Sequence, residues 1–267
     1  MLKHPGSEIS VIVPCLNEAR MLPFFLSSLA DNNFIWDMAG CSEHWSYEVR
    51  LFPFELVVVD GGSTDRSRDL IDAYRSKIPV IGLISEVRRL GFVRNRGALA
   101  ARSRILFFTN SDTILPMNIL PRIHEEFRRD PDLIALSGRT IPMNGGTLCT
   151  AAYTAFDFLR WLFCKIGRFS PSGNLLAIRA SAFHDVGGFH NLRVNEDGEL
   201  GERLNEYARN REGKIRFRLN LYVWHHAKRF RRNPLRALLF YAYVFGNFSS
   251  VLKRILQPIE RKSAHDF

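Results

Sequence analysis

The sequence predicts an α/β protein in which helices flank a mostly parallel, doubly wound sheet. Three observations predict this fold. Short apolar runs of strand length alternate with segments of helical periodicity through the first half of the chain. The run at 54–59 is rich in β-branched residues, as expected for a strand buried on both faces. The chain has 267 residues, of which 46% are hydrophobic, and can therefore build a large core.

Five predicted strands alternate with four predicted helices in the first half of the chain. The strands are predicted at 8–13, 54–59, 80–85, 105–108 and 133–138. The helices are predicted at 19–30, 66–76, 91–102 and 121–129, with Thr64 or Asp65 as the cap of the second. We expect residues 31–53 to form a long connection over the surface. This alternation is typical of a parallel sheet with helical crossovers.

The pattern changes after Gly145. An aromatic-rich amphipathic segment at 150–163 precedes a predicted strand at 172–179 and a predicted helix at 183–189. A helix at 195–209 with an acidic first turn and a strand at 215–223 follow. Asn233 and Pro234 are suited to open a further helix at 233–257. We therefore divide the chain into a domain at 1–232, with halves at 8–140 and 141–232, and a C-terminal amphipathic helix within 233–267.

Charge and cysteine content limit the class of protein. The net charge of +10 and the pI near 9.8 predict a polyanionic partner, which can be nucleic acid, an anionic membrane surface or a phosphorylated substrate. The four cysteines are scattered, without metal-ligand spacing or a disulfide framework, and free thiols in a reducing compartment are expected. Residues 1–10 lack the apolar core of a secretory signal. We expect a cytoplasmic protein, with peripheral attachment to the cytoplasmic face of a membrane left open.

Two segments are candidates for membrane contact. The predicted helix at 233–257 is interrupted by Asn247, Ser249 and Ser250, whereas a spanning helix needs about 20 predominantly apolar residues. Its basic flanks and aromatic residues favour a helix lying in the membrane interface. The alternative is a helix that packs on the domain or on a partner. The segment 150–169 either adds a second contact with lipid, or with a lipid-linked acceptor, or covers the core.

Polar clusters follow the predicted strands, where ligands bind in open α/β sheets. They lie at 14–18, 60–65 and 110–112, and an acidic pair opens the helix at 195–209. Carboxylates such as Asp60 and Glu18 can hold a base or a ribose. The fork of Arg94 suits a diphosphate. Asp112 can hold a divalent cation against a phosphate.

These clusters carry a family resemblance. The segments SVIVPCLNEA (10–19), VVVDGGSTD (57–65), GFVRNRGA (91–98) and FFTNSDT (107–113) resemble, in order, the motifs of family-two glycosyltransferases with the GT-A fold. The segments SGNLLAIRASAFHDVGGF (172–189) and VNEDGELGERL (194–204) resemble that family's acceptor-side motifs. The resemblance covers residues 10–229 and implies a GT-A-like, Rossmann-like fold. It also implies a metal-dependent, inverting hexosyltransferase that moves a sugar from a nucleotide sugar to an acceptor hydroxyl or a lipid phosphate.

The resemblance also implies roles for individual residues. Asp197 would be the catalytic base, with Glu196 beside it, and Asp112 and His226 would bind Mg or Mn. The donor, a UDP- or GDP-sugar, would contact Pro14, Asn17, Glu18, Asp60, Gly62, Gly91, Arg94, Asn110 and Ser111. The acceptor would be a lipid-linked molecule or a glycan.

Two features qualify the implied metal site. Asn110 stands where the family's metal motif has its first Asp, and the lost charge should weaken metal affinity, since hard cations prefer carboxylate oxygens. Adjacent His225 and His226 point to opposite faces of a strand, so at most one can serve the site. We favour His226, with a surface histidine as the alternative.

Two other functions remain as alternatives. A nucleotidyltransferase on a similar sheet would need a glycine-rich, lysine-containing phosphate loop, which residues 14–20 do not provide. A basic, non-enzymatic nucleic-acid-binding protein would need exposed aromatic residues among the basic ones along a groove. That alternative leaves the acidic strand-end clusters unexplained, and we expect no nucleic-acid partner.

Overall fold

The computed structural model describes residues 6–31, 34–41, 44–85, 89–192 and 195–227, with the backbone alone for 34–41 and 44–51. The C-terminal helix predicted within 233–267 lies outside the described residues.

The described chain contains ten strands. They are β1 (Ile9–Cys15), β2 (Phe34–Cys41), β3 (His44–Leu51), β4 (Phe54–Asp60), β5 (Val80–Ile84), β6 (Ile105–Phe108), β7 (Thr113–Ile114), β8 (Leu133–Pro142), β9 (Leu176–Arg179) and β10 (Lys214–His225). Eight of them form one sheet in the order β5-β4-β1-β6-β9-β8-β10-β7. Six strands of this sheet run in the same direction, and only β9 and β7 pair antiparallel with their neighbours. The mostly parallel α/β sheet predicted from the sequence is confirmed.

The prediction of a surface connection at 31–53 is wrong in part. Strands β2 and β3 pair antiparallel there, from Phe34 opposite Leu51 to Cys41 opposite His44, as a separate two-stranded sheet. The Asn, Gly and Trp residues of this segment suggested a loop. Its aromatic and β-branched residues are nevertheless typical of strands, and this hairpin needs no helical crossover because it is antiparallel.

Seven helices complete the described fold. They are α1 (Leu22–Asp31), α2 (Ser67–Ala73), α3 (Leu90–Ala100), α4 (Ile119–Arg129), α5 (Gly146–Lys165), α6 (Ala180–Asp185) and α7 (Glu196–Asn210). The helix predicted at 183–189 is wrong in its bounds. It ends earlier because Gly187 and Gly188 have φ values of 80° and 68°, which favour glycine and stop the helix.

Helices pack on both faces of the sheet and create two apolar layers. Alternate residues of β1 contribute to different layers: Val11 and Val13 pack with Phe25 of α1, whereas Ile12 packs with Val93 of α3. Full burial of each such side chain contributes about 1.5–3 kcal/mol to the free energy of folding. The two layers fix the sheet, and the loops at the ends of its strands are therefore held in place.

Among the described residues, we find no helix with the length and apolar character needed to cross a bilayer.

Candidate active site

The loops after β1, β4 and β6 lie side by side. Cys15, the last residue of β1, is opposite Asp60, the last residue of β4, and Ile12 is opposite Phe108 of β6. The backbone N–H of Thr109 donates to the carbonyl of Ile12 at 3.2 Å. The three polar clusters that follow these strands therefore share one edge of the sheet, as expected for parallel neighbours.

Hydrogen bonds tie the first loop to the second. The backbone N–H of Asn17 donates to Ser63 Oγ at 2.9 Å, and its side-chain Oδ1 accepts the N–H of Thr64 at 2.8 Å. Asp65 Oδ2 accepts the N–H of Ala19, and its Oδ1 accepts the N–H of Ser67 in the first turn of α2, both at 3.0 Å. Asn17 thus holds the two loops together at this edge of the sheet, and Asp65, which sequence reasoning considered only as a helix cap, does so as well.

Asp60 is buried at the end of β4, where the second of these loops begins. Its Oδ1 accepts the N–H of Ser63 at 3.0 Å, and its Oδ2 forms an ion pair with Arg68, an exposed side chain of α2. Gly62 allows the tight turn because its φ is 89°. A donor base that bound Asp60 would compete with Arg68 for Oδ2. Base recognition by Asp60 stays a prediction.

Arg94 on α3 joins the two halves of the chain. Its side chain is 1% exposed. Nη1 donates to Asp197 Oδ1 at 2.6 Å and lies 3.4 Å from Glu196 Oε1, while Nη2 donates to Asn110 Oδ1 at 3.3 Å and to the carbonyl of Gly173 at 3.2 Å. The expected contact of Arg94 with a diphosphate stays a prediction, because in this structure its guanidinium contacts protein groups.

The segment at 173–174 forms a wall of the same site. A Cβ atom at Gly173 would lie 2.3 Å from Asp197 Oδ2, so only glycine leaves room for this carboxylate. Asn174 Oδ1 accepts from Asn110 Nδ2 at 2.6 Å, and the Asn174 carbonyl accepts from Thr109 Oγ1 at 2.8 Å. Sequence reasoning did not single out Gly173 or Asn174, although both lie in the SGN start of the segment at 172–189.

The start of α7 presents the acidic pair. Asn195 precedes the helix in the left-handed region, with φ 63°, and Glu196 and Asp197 occupy the first turn. The helix dipole favours negative charge at this end. Glu196 is buried, whereas the Asp197 side chain is 24% exposed. Asp197 is therefore the member of the pair that a bound ligand can reach.

Strand β10 brings its two histidines to Asp112 in different ways. The imidazole Nδ1 of His225 lies 3.3 Å from Asp112 Oδ1, because His225 is opposite Thr113 of β7. The backbone N–H of His226 donates to the Asp112 carbonyl at 3.2 Å, and its Nε2 lies 2.9 Å from Asn144 Nδ2. His225 thus places its imidazole at the Asp112 carboxylate, and the assignment of His226 to the metal stays a prediction.

The donor atoms around Asp112 suit a cation whose remaining ligands come from the substrate. His225 Nδ1 is buried, and its 3.3 Å contact with Asp112 Oδ1 lacks the geometry of a hydrogen bond. This nitrogen and the Asp112 carboxylate can share one ion, and Mg²⁺ commonly binds through one or two carboxylates together with substrate phosphates. Within the described ranges no group of three His, Cys, Asp or Glu side chains forms a ready-made metal site. A cation held by these two side chains would take its remaining ligands from substrate oxygens or water.

The remaining predicted donor residues lie on β1, on the loops after β1 and β6, and on α3. Pro14 is half-buried near the end of β1, Glu18 is half-buried on the first loop, and Ser111 is buried beside Asp112. Gly91 is buried in α3, where a Cβ would lie 2.8 Å from the His190 carbonyl, so the structure gives it a packing role. Contact of these residues with the donor stays a prediction.

Cys15, although it ends β1 next to Asp60, is an unsuitable nucleophile. Burial, helped by the neighbouring Asp60 charge, raises the pKa of its thiol to about 12. Because the thiolate is the nucleophilic form, this thiol is inert near neutral pH.

The sequence profile of Glycosyl transferase family 2 matches residues 10–187. The dolichyl-phosphate beta-glucosyltransferase of Drosophila melanogaster is 30% identical to the chain over 176 residues, which are 60% of this chain and 50% of that protein. The chain thus spans about half the length of this relative.

Two solved structures share the fold. The mannosyltransferase PcManGT from Pyrobaculum calidifontis, in complex with GDP-Man and Mn²⁺, has a TM-score of 0.63 and 18% identity, over 99% of this chain and 73% of that one. TarS 1–349 of S. aureus, in complex with UDP-GlcNAc, has a TM-score of 0.59 and 19% identity, over 88% of this chain and 66% of that one. At this identity both likenesses concern the fold, and they confirm the predicted GT-A-like class.

Proposed function

The chain belongs to glycosyl transferase family 2, and from that premise we propose that it moves a sugar from a UDP- or GDP-sugar to an acceptor hydroxyl or a lipid phosphate, with inversion and with a divalent cation. The observation that carries this proposal is the contact of Arg94 with Asn110 and Asp197. Asn110 lies on the loop that follows β6 in the donor half, and Asp197 lies on α7 in the acceptor half. One buried guanidinium therefore joins the expected donor and acceptor sites.

Asp197 is the proposed base. Arg94 holds Oδ1, so Oδ2 is the oxygen that can take the proton of the attacking acceptor group. A carboxylate fixed by a buried partner keeps its orientation while the acceptor binds, which lowers the barrier by pre-organisation. The attacking oxygen displaces the nucleoside diphosphate from the opposite face of the anomeric carbon, and the configuration inverts. An acceptor that is already an ionised phosphate has no proton to give, and its attack does not need the base.

Asp112 and His225 are the residues we propose to hold the cation together with the diphosphate. The PcManGT complex contains Mn²⁺, which supports a metal, and the donor atoms of Asp112 and His225 fit one. A bound cation would neutralise the charge that develops on the leaving diphosphate. His226, the residue first favoured, is the weaker candidate because its Nε2 contacts Asn144.

A lipid phosphate is the acceptor class that the relatives favour. The Drosophila relative is a dolichyl-phosphate glucosyltransferase by name. The net charge of +10 suits a substrate held at an anionic surface. We retain the division into a catalytic domain at 1–232 and a C-terminal segment at 233–267 as part of the proposal, together with a peripheral location on the cytoplasmic face of a membrane.

The release of UDP or GDP from a panel of nucleotide sugars tests the proposal. The full chain is incubated with each donor, Mn²⁺ or Mg²⁺, and a polyprenyl phosphate or a glycan acceptor. We expect acceptor-dependent release from at least one donor, and a product whose anomeric configuration, determined by NMR, is opposite to that of the donor. Retained configuration would exclude inversion, and absence of release from every donor would exclude the proposed reaction class.

A further inference from the structure

Helix α5 exposes a face made mainly of apolar side chains and threonines. The helix has 20 residues and is about 30 Å long. Its inner side packs on the domain through Cys149, Ala152 and Tyr153. Its outer side shows Leu148, 63% exposed, and Phe158, 51% exposed. The other exposed positions of this outer face are Thr147, Thr150, Ala151, Thr154, Ala155, Leu159, Leu162 and Lys165.

The outer face carries no negative charge. The only acidic residue of α5 is Asp157, which is buried and accepts the backbone N–H of Thr140 at 2.9 Å. Lys165 ends the helix, and exposed Ile166 and Arg168 follow it. A surface helix of a soluble protein normally turns charged residues to water, so an apolar face with a basic end needs a different environment. An interface helix on an anionic bilayer has this composition, with cations at the headgroups and apolar side chains below them.

The apolar face begins beside the candidate active site. Asn144, just before α5, contacts His226, whose backbone N–H donates to the Asp112 carbonyl. The backbone N–H of Met143 donates to the His225 carbonyl at 2.9 Å, and the Met143 side chain is exposed. Met143 and Asn144 therefore tie the start of α5 to the two histidines beside Asp112. A bilayer seated on the outer face of α5 would adjoin the candidate active site.

We propose that the outer face of α5 is a docking surface for an anionic lipid bilayer. The apolar side chains enter the boundary between headgroups and acyl chains, and Lys165 and Arg168 contact the lipid phosphates. The proposal deepens the proposed function, on which it rests for the membrane-held acceptor. Binding to a lipid surface can be measured without sugar transfer, so failure of one is distinguishable from failure of the other.

Vesicle co-sedimentation of the full chain tests the docking surface. The variant carries Phe158→Glu and Leu162→Glu, which place two carboxylates on the outer face. The matched control is Leu99→Glu, at an apolar residue of α3 that is 78% exposed and lies outside α5. The probes are vesicles of phosphatidylcholine alone and of phosphatidylcholine with phosphatidylglycerol. We expect the wild type and the control to bind the anionic vesicles in a salt-sensitive manner, and the double variant to bind at least about tenfold more weakly.

A fluorescence measurement keeps the test valid if the double variant folds poorly. Trp161 lies next to the outer face, with its ring centroid 5.5 Å from that of Phe158. Brominated lipids should quench the wild-type emission, and Trp161→Phe should remove most of that quenching.

Three results would overturn the proposal. The first is that the wild type does not bind anionic vesicles. The second is that the wild type and a folded double variant bind them equally, as expected if residues 228–267 or another surface make the contact. The third result is that the double variant changes the oligomeric state in light scattering without changing vesicle binding, which would make the face an interface between copies. Nucleotide-sugar hydrolysis, measured in parallel without vesicles, reports on the proposed function alone.

Discussion

Replacing Gly173 by alanine should slow transfer by displacing the catalytic carboxylate. The new Cβ would lie 2.3 Å from Asp197 Oδ2 and 2.8 Å from Arg94 Nη2. Arg94 is buried and held by four acceptors, whereas Asp197 is partly exposed, so the carboxylate is the group that moves. To restore a contact of even 3.0 Å it must retreat by about 0.7 Å.

The size of the effect follows from this displacement. A misplacement of about 1 Å can cost on the order of 100-fold in rate. We therefore expect kcat to fall by about 10- to 100-fold, which corresponds to about 1.4–2.7 kcal/mol of transition-state stabilisation. The donor contacts expected on the loops after β1 and β4 are untouched, so KM for the nucleotide sugar should stay within about twofold of the wild-type value.

The assay measures initial rates of nucleoside diphosphate release at a saturating concentration of an acceptor that attacks through a hydroxyl, with the melting temperature of each variant recorded. Gly82→Ala is the matched control. Its Cβ would also meet an arginine terminus, Arg75 Nη2 at 2.8 Å, but that side chain is exposed and can move aside. Wild-type kcat in Gly173→Ala would refute the view that Asp197 must hold this position. A large loss of donor affinity with unchanged kcat would refute it as well.

Three further predictions concern single side chains. Asp112→Asn should abolish the Mn²⁺ dependence of donor binding measured by calorimetry, because it removes the carboxylate of the cation site, and unchanged dependence would exclude Asp112 as a ligand. His225→Ala should weaken that dependence by about tenfold or more, since His225 Nδ1 lies 3.3 Å from Asp112 Oδ1. His226→Ala should weaken it less, since His226 Nε2 contacts Asn144, and the reverse order would favour His226 as the metal ligand. Burial raises the pKa of Asp157 from 3.8 to about 6. The folded state therefore binds the proton more tightly than the unfolded state, which stabilises the fold by on the order of 3 kcal/mol below about pH 4. This stabilisation is lost as the pH rises through 6. The melting temperature of Asp157→Asn relative to the wild type should therefore rise between about pH 4 and pH 7, and a constant difference would contradict the burial of an ionisable carboxyl at this position.

The strands of the parallel part of the sheet could be predicted because each is a short, continuous apolar run in the sequence. Strand β6 was predicted with its observed bounds, and β1, β4 and β5 within about two residues. The β2–β3 hairpin was missed because mixed polar and aromatic segments resemble loops until their pairing is known. The reversed direction of β9 was also missed, since strand direction depends on the connection between strands and not on composition.

The residue types of the site could be predicted, but their contacts could not. Asp197 and Arg94 are 103 positions apart in the sequence and were assigned to base and diphosphate, whereas the structure brings them into an ion pair. Gly173 was missed because the need for glycine comes from the Asp197 carboxylate and not from its own backbone. The contact of His225 with Asp112 depends on the register of β10 against β7, which a sequence does not contain.

The transfer rate of Asp197→Asn, measured together with donor affinity, tests the proposed function most directly. The amide keeps the shape of the side chain and can still contact Arg94 through its oxygen, but it cannot take a proton. With an acceptor that attacks through a hydroxyl, we predict a fall of kcat by about 10²- to 10⁴-fold and an unchanged Kd for the nucleotide sugar. Turnover at the wild-type rate would remove Asp197 from the role of base and with it the mechanism proposed for this site.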